Sequence, residues 1–207
     1  SELKGIPSHL LSSKSDEALI QFVSLGYIPA ENTYYNKVFK LQAAHYLIFD
    51  GSDIKIKKYW NLPETERNIS FDEAVGKTYD LLKSSVKYRL LSDVEVGCFL
   101  SGGVDSSLVT AIMSKISSKK IKTFSIAFVD KKYDESAYAR NIASILDTDH
   151  YEYICRPDDV ITLIEDFDYY FDEPFGDASA LPTMLVAKLA SKHVKVALSG
   201  DGGDELF

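Results

Sequence analysis

The stretch Glu95-Val-Gly-Cys-Phe-Leu-Ser-Gly-Gly-Val-Asp-Ser-Ser107 decides the fold, because it predicts a strand, a glycine turn and a helix start in direct succession. Gly102 and Gly103 permit positive φ and let a ligand approach the backbone closely. The helix that follows directs its unpaired N–H groups and its positive dipole end at the turn. An ordinary strand-to-helix loop is the plainer alternative, but six consecutive positions of suitable type favour a phosphate-binding loop. The hydroxyl groups available in this loop belong to Ser101, Ser106 and Ser107.

Composition places the chain among ordinary globular proteins, with 207 residues, 45% hydrophobic and 26% charged. The net charge of −8 argues against a nucleic-acid partner. No apolar run approaches the ~20 residues that a membrane span needs, so we expect no membrane association. Cys98 and Cys155 both lie in apolar, strand-like runs. They are therefore predicted to be buried thiols in a reducing cytoplasm, and not a disulfide or a metal pair.

A regular alternation of short β-rich runs and amphipathic helices follows the first loop. Strands are predicted at 94–100, 121–128, 151–155 and 194–199, and helices at 106–117, 136–146, 157–171 and 179–193. This order predicts an α/β fold, a parallel sheet flanked by helices. Ligands of such sheets lie outside the carboxyl ends of the strands. Two glycine-rich loops, one after the first strand and one after the last, should therefore open on the same edge.

The residues before the sheet differ in character and predict a small α+β region. A helix is expected over residues 15–26, capped by Ser15 and ended by Gly26. Two strands, 38–49 and 54–59, are expected around a hairpin turn at Asp50-Gly51. Residues 61–68 are predicted to be a linker. The next helix begins at the capping box Ser70-Phe-Asp-Glu73, in which Glu73 should reach back to Ser70, and runs to about Leu91.

The chain closes on a second glycine-rich loop, Leu198-Ser-Gly-Asp-Gly-Gly-Asp-Glu-Leu-Phe207. Asp105 and Asp204 are 99 residues apart, yet both follow strand ends, so they can converge on one Mg²⁺ ion. Carboxylate and phosphate oxygens are the ligands that Mg²⁺ prefers. Taken singly, Asp201 or Asp204 could equally be a turn or cap residue.

The two loops together resemble the asparagine synthetase family of the ATP pyrophosphatase superfamily. Ser101-Gly-Gly-Val-Asp-Ser-Ser107 resembles the pyrophosphate loop, and the closing stretch resembles the second family signature. The resemblance implies an adenine nucleotide α-hydrolase-like fold of the ATP pyrophosphatase type. It further implies that residues 1–62 are the end of a glutaminase domain and residues 63–207 a truncated synthetase domain of bacterial type.

The same resemblance assigns roles to individual residues. Asp105 and Asp204 would be the magnesium carboxylates, and Asp201 would assist the attack of ammonia. Main-chain groups at the strand ends and in the last loop would bind the adenine of ATP. The implied nucleotide-binding residues are Phe99, Leu100, Ser101, Gly102, Gly103, Asp105, Ser106, Ser107, Ile126, Ser199 and Gly200.

The implied reaction has two steps. The side-chain carboxylate of aspartate attacks the α-phosphorus of ATP and releases pyrophosphate, and ammonia derived from glutamine then yields asparagine and AMP. In this family the glutaminase nucleophile is an N-terminal cysteine, and a lysine that aids the synthetase step lies beyond the position of Phe207. We therefore expect this chain, with Ser1 at its start, not to hydrolyse glutamine and to be weakly active or inactive alone.

Other readings stay open at this point. Asp177 stands near a position where some members carry an arginine, which leaves open a different carboxylate substrate, amidated or closed to a lactam. A non-catalytic ATP-binding regulator is a further alternative, against which the three aspartates of the loops argue. Ser179 suits a helix cap and a substrate contact equally. Exposed apolar surface on a truncated sheet predicts self-association, with a homodimer as the form expected.

Overall fold

A computed structural model describes residues 3–63 and 68–205. Contacts divide the chain into two compact units. The N-terminal unit consists of Ser1–Arg67 and Ile164–Ala178, and the sheet unit consists of Asn68–Leu163 and Ser179–Phe207. The boundary between a glutaminase remnant and a synthetase domain, expected between residues 62 and 63, stays a prediction. Part of the predicted linker, residues 64–67, lies outside the described residues, as do Leu206 and Phe207 of the closing loop.

The elements follow in chain order. Two short 3-10 turns, Leu3–Gly5 and Ser8–Leu10, precede helix α1. The strands are β1 His45–Phe49, β2 Ile54–Lys58, β3 Val96–Phe99, β4 Lys122–Phe128, β5 Asp149–Cys155 and β6 Val196–Leu198. The helices are α1 Asp16–Leu25, α2 Phe71–Arg89, α3 Val104–Ile116, α4 Ser136–Ile145, α5 Pro157–Glu165, α6 Phe167–Tyr170 and α7 Ala180–Ala190. None of the helices within these described ranges has the length and apolar character needed to cross a bilayer.

The sheet unit is built on four parallel strands in the order β5-β4-β3-β6, flanked by helices, which confirms the predicted fold class. The chain steps outward from β3 through β4 to β5 and then returns to place β6 on the other side of β3. The strand order therefore reverses between β3 and β6. Such a reversal opens a crevice at the carboxyl ends of the two strands, where ligands bind in open α/β sheets.

Apolar side chains cover both faces of this sheet. Val96 and Cys98 of β3 pack with α2 and α3, while Phe124 packs with Ala190 and Val194 on the α7 side. A third cluster joins Leu100 to Ala139 and Ala143 of α4. Side chains of successive strand residues point to opposite faces, so β3 supports both layers. The carboxyl end of β3 is consequently held from both sides.

The N-terminal unit carries α1, the antiparallel hairpin β1–β2, and α6. The predicted ends of α1 are confirmed, because the Ser15 hydroxyl accepts a hydrogen bond from the Ala18 N–H at 3.2 Å and Gly26 closes the helix at φ 80°. The predicted strand over 38–49 is wrong in its first half. Residue 44, an alanine at φ 60°, interrupts the extended backbone, and β1 begins only after it.

Two helix predictions also need correction. The helix expected over 157–171 is two helices, α5 and α6, separated at Asp166. The capping box at the start of α2 is half formed. Ser70 Oγ accepts the Glu73 N–H at 3.2 Å, but the Glu73 carboxylate lies 2.6 Å from Lys77 Nζ instead of returning to Ser70. A lysine four residues later competes for the carboxylate on an exposed helix face.

Candidate functional site

The first glycine loop is held in shape by its own hydroxyl groups. Ser101 Oγ lies 2.9 Å from Ser106 Oγ and accepts the Gly103 N–H at 3.2 Å. Ser106 Oγ also accepts the Ser101 N–H at 3.3 Å and donates to the Gly103 carbonyl at 3.3 Å. Both hydroxyl groups therefore bond inside the turn. The donors left for a ligand are main-chain groups.

These main-chain donors belong to the first turn of α3. Gly103 is the N-cap and supplies no side-chain cap. Within the described chain, the N–H groups of Val104, Asp105 and Ser106 donate no hydrogen bond. Ser107 Oγ is buried without a partner among the same residues. Three free N–H groups at the positive end of a helix form a site suited to an anion.

Gly102 allows this turn to pack closely against α4. Its φ is +89°, and a Cβ atom there would lie 2.6 Å from the Ala139 nitrogen and 2.6 Å from Tyr138 Cβ. Any other residue would therefore be strained and would also collide with the neighbouring helix. The turn is thus fixed from the side of α4 as well as from within.

The two glycine loops meet, as the sequence predicted. A Cβ atom on Gly203 would lie 2.5 Å from Asp105 Cγ, and one on Gly200 would lie 2.6 Å from the Ser106 nitrogen. The closing loop therefore packs directly on the Asp105 side chain and on the first turn of α3. Asp105 is half-buried, while Asp201 and Asp204 are exposed. The contact falls at the reversal of strand order between β3 and β6.

One cavity, the acidic-loop cavity, lies between this contact and helix α2. It has a volume of about 470 Å³. Asp105 and Asp201 share it, whereas Asp204 does not line it. Arg89 also lines it, and its Nη1 bonds the Ser85 carbonyl at 3.1 Å. Arg89 was not predicted, since a single arginine at the end of a helix carries no sequence signal. The remaining lining is Leu82, Ser85, Val86, Leu108, Val109, Ala197, Leu198, Ser199, Gly200, Gly202 and Gly203.

A second cavity, the strand-end cavity, opens over the carboxyl ends of β3 and β4 and has a volume of about 220 Å³. Phe99, Leu100 and Ile126, three of the predicted adenine residues, line it together. Ser199 and Gly200, the other two, line the acidic-loop cavity instead. The structure thus divides the predicted adenine set between two cavities. The rest of the lining is Ser101, Phe124, Ser125, Phe128, Tyr133, Glu135, Ser179, Pro182, Thr183 and Val186.

Ser179 and the acidic residues near it differ in their placement. Ser179 lines the strand-end cavity, and its side chain makes no capping hydrogen bond in the described first turn of α7. Its role as a substrate contact stays a prediction. Glu135 lines the same cavity. Asp177 is exposed and belongs to the N-terminal unit.

The predicted magnesium site depends on carboxylates from the two glycine loops. Over residues 3–63 and 68–205, no group of three or more His, Cys, Asp or Glu side chains could hold a metal ion. Mg²⁺ is usually held by one or two carboxylates together with substrate phosphates and waters, so a complete protein cage is not needed. Asp105 packs against Gly203, and the exposed Asp204 is the next residue of the closing loop. A magnesium site shared by these two carboxylates stays a prediction.

Neither cysteine belongs to this chemistry. Both are free and buried, which confirms the predicted buried thiols. Burial raises the pKa of the Cys98 thiol to about 11, although a hydrogen bond from Thr110 opposes the shift. Cys98 is therefore protonated at neutral pH and unreactive as a nucleophile. Its place beneath the first loop is structural.

Comparison with known proteins gives consistent matches. The family model described as asparagine synthase matches residues 77–207. A putative glutamine-hydrolysing asparagine synthetase 2 of Methanocaldococcus jannaschii is 41% identical over 214 aligned residues, covering 100% of this chain and 41% of that protein. The glutamine-hydrolysing asparagine synthetase 1 of Bacillus subtilis is 34% identical over 192 residues, covering 92% of this chain and 30% of that protein. The chain thus spans about two fifths or less of the length of these relatives.

Among solved structures, an NMN synthetase from Francisella tularensis matches with a TM-score of 0.41 and 18% identity. The match covers 63% of this chain and 54% of that one. Similarity at this level carries no argument about function.

Proposed function

The chain belongs to the asparagine synthase family, and from that premise we propose that it forms the ATP-dependent, amide-forming site of an asparagine synthetase. One observation carries the proposal: the closing loop packs on the first turn of α3, with Gly203 against the Asp105 side chain and Gly200 against the Ser106 nitrogen. An anion site and acidic side chains from two distant loops thereby share one crevice. That combination suits a reaction in which ATP loses pyrophosphate.

The residues of the first loop would act on the leaving group. Attack of the aspartate side-chain carboxylate forms a bond to the α-phosphorus and breaks the bond to the bridging oxygen, so pyrophosphate departs with the electron pair. The N–H groups of Val104, Asp105 and Ser106 would bind its developing charge. Because they are fixed in a helix, they need no reorganisation as the charge forms. Asp105 and Asp204 would hold Mg²⁺, which when bound offsets the charge of the phosphates.

The acidic-loop cavity would serve the second step. Ammonia attacks the acyl carbon of the aspartyl adenylate, loses a proton, and AMP leaves with the electron pair of the broken acyl–oxygen bond. The exposed Asp201 carboxylate lies in the same cavity as Asp105 and would accept that proton. The adenine would lie in the strand-end cavity against Phe99, Leu100 and Ile126. In the full-length protein, glutamine would be the source of the ammonia.

The test is product analysis with the full-length protein, ATP, aspartate and ammonium chloride. We expect equal amounts of AMP, pyrophosphate and asparagine, and formation of ADP and phosphate would contradict the proposal. Asp105→Asn should abolish pyrophosphate release. Asp80→Asn is the matched control, since Asp80 is an exposed carboxylate on α2 that lines neither cavity.

Two other outcomes would identify the alternative functions. Amide formation with another carboxylic acid, and none with aspartate, would keep the adenylation chemistry and replace the substrate. ATP binding without pyrophosphate release under any of these conditions would indicate a regulator.

A further inference from the structure

The loop between β4 and α4 is closed by the side chain of Asp134. One carboxylate oxygen accepts the Phe128 N–H at the end of β4 at 3.1 Å and the Ser136 N–H at the start of α4 at 3.3 Å. The other oxygen accepts the Ser136 hydroxyl at 3.0 Å. Ser136 is buried, and its hydroxyl also accepts a hydrogen bond from Arg140 Nη1 at 2.9 Å. The backbone of Glu135, the residue between Asp134 and Ser136, is therefore fixed on both sides.

The carboxylate of Glu135 has no partner within residues 3–63 and 68–205. Glu135 occupies the N-cap position of α4, yet its side chain makes no capping hydrogen bond. Arg140, further along the same helix, pairs with Glu152 instead, at 2.7 Å. The fold therefore makes no use of the Glu135 carboxylate, which is available to a ligand.

The strand-end cavity determines what kind of ligand could use this carboxylate. Glu135 is the only charged side chain among the described residues that line the cavity. The other lining side chains are apolar or carry neutral hydroxyl groups, such as those of Ser101 and Thr183. An ionised carboxylate accepts hydrogen bonds and donates none. A ligand that contacts Glu135 must therefore present hydrogen-bond donors.

ATP presents few donors to such a group. They are the 2′- and 3′-hydroxyl groups of the ribose and the exocyclic amine of adenine, because the phosphate oxygens and the free ring nitrogens only accept. Phe99, Leu100 and Ile126 suit the flat base, and their main-chain groups would bond its amine. The ribose hydroxyls remain for Glu135. In dinucleotide-binding α/β sheets, an Asp or Glu that follows the phosphate loop along the chain accepts a ribose hydroxyl in the same way.

We propose that Glu135 binds the ribose of the nucleotide by accepting hydrogen bonds from its 2′- and 3′-hydroxyl groups. The inference rests on the proposed function, in which the strand-end cavity binds the adenine of ATP. Hydrogen bonds to a charged acceptor are stronger than neutral ones, so the contact should contribute about tenfold or more to affinity. Because Asp134 fixes the backbone that carries Glu135, little ordering is needed when the nucleotide binds. The site should therefore select a ribonucleotide over a dideoxynucleotide.

The experiment measures the dissociation constants of full-length protein for ATP and for 2′,3′-dideoxy-ATP in the presence of magnesium. Wild type should bind ATP about tenfold more tightly than the dideoxynucleotide. Glu135→Ala should bind the two nucleotides within about twofold of each other, both at the lower affinity. Glu135→Gln keeps a neutral acceptor and should fall between wild type and Glu135→Ala.

The matched control is Asp158→Ala. Asp158 is an exposed carboxylate in the first turn of α5 and lines neither cavity. Its removal takes one negative charge from a helix start of the same unit, as Glu135→Ala does, and should leave the preference for ATP unchanged.

Equal preference for ATP over the dideoxynucleotide in wild type and Glu135→Ala would overturn the proposal. A change in Glu135→Ala confined to inosine triphosphate, which lacks the exocyclic amine, would overturn it in favour of a contact with the base. A change confined to KM for aspartate would do so in favour of its ammonium group. ATP binding without pyrophosphate release would refute the proposed function, while the two dissociation constants would still test the ribose contact. Absence of ATP binding would refute both.

Discussion

Substitution of Gly203 by alanine should inactivate the site without unfolding the protein. Gly203 is not at positive φ, so its backbone conformation suits alanine. The added Cβ atom, however, would lie 2.5 Å from Asp105 Cγ and 2.6 Å from Asp105 Oδ1. The two shortest contacts involve the Asp105 carboxylate, which can rotate about its side-chain bonds, while the contact with Asp105 Cβ is longer, at 3.0 Å. We therefore expect the carboxylate to move and the main chain to shift by only a few tenths of an ångström. The substitution therefore displaces one functional group selectively.

The size of the effect follows from the overlap. Carbon atoms pack at about 3.5–4.0 Å, so the Asp105 carboxylate must move by about 1 Å. A misplacement of about 1 Å in a reacting site can cost about 10²-fold in rate. That factor corresponds to about 2.7 kcal/mol of transition-state stabilisation. We expect kcat/KM for pyrophosphate release to fall by this amount and the unfolding midpoint to change little.

Pyrophosphate release by full-length protein is the assay, with Gly76→Ala as the matched control. Gly76 lies on the exposed side of α2, a Cβ atom there would meet nothing within 4 Å, and the residue lines neither cavity. The control should remain close to wild type. In an Asp105→Ala background, Gly203→Ala should have little further effect, because the displaced group is already gone. Full activity of Gly203→Ala, or additive losses in the double variant, would refute the reasoning.

Three further predictions concern stability and reactivity. Gly97→Ala should lower the free energy of unfolding by about 1–3 kcal/mol in urea, because the new Cβ would lie 2.7 Å from a ring carbon of Phe124. Cys98 should resist iodoacetamide at pH 8 in folded protein and react once urea unfolds it, since burial raises its pKa to about 11. Burial lowers the pKa of His150, so the unfolded chain takes up the proton more readily. Stability should fall as pH drops through about 6.5, and His150→Gln should remove that part of the pH dependence in urea titrations.

The sequence predicts the fold well because the sheet strands and their helices follow simple periodic patterns. Strands β3 to β6 all occur, with ends shifted by one or two residues. The periodic pattern does not predict local details of the backbone or the partner that a side chain chooses. Ala44 at φ 60° ends the predicted first strand early, and no sequence signal requires an alanine to adopt that conformation. The Glu73 carboxylate pairs with Lys77, four residues later on the helix, and does not return to Ser70, because the sequence offers it both partners.

The sequence predicts which loops form the candidate site but not all the residues that line it. That both glycine loops open on the same edge follows from parallel strands alone. Their direct contact requires β3 and β6 to be neighbours, and that strand order does not follow from periodicity. The split of the adenine set between two cavities depends on that order and on α7, so sequence reasoning could not find it. Arg89 and Glu135 were missed as site residues because their importance comes only from the cavities that they line.

The chemistry of the first loop depends on packing more than on its own side chains. The hydroxyl groups of Ser101 and Ser106 are occupied inside the turn, so the donors that they leave for a ligand are the Ser107 hydroxyl and main-chain N–H groups. Main-chain groups cannot be repositioned by a rotamer change. Their placement is set by Gly102 against α4 and by Gly200 against the first turn of α3. The conspicuous glycines thus mark contacts with distant elements, which explains why a short motif identifies the site while its geometry requires the whole sheet.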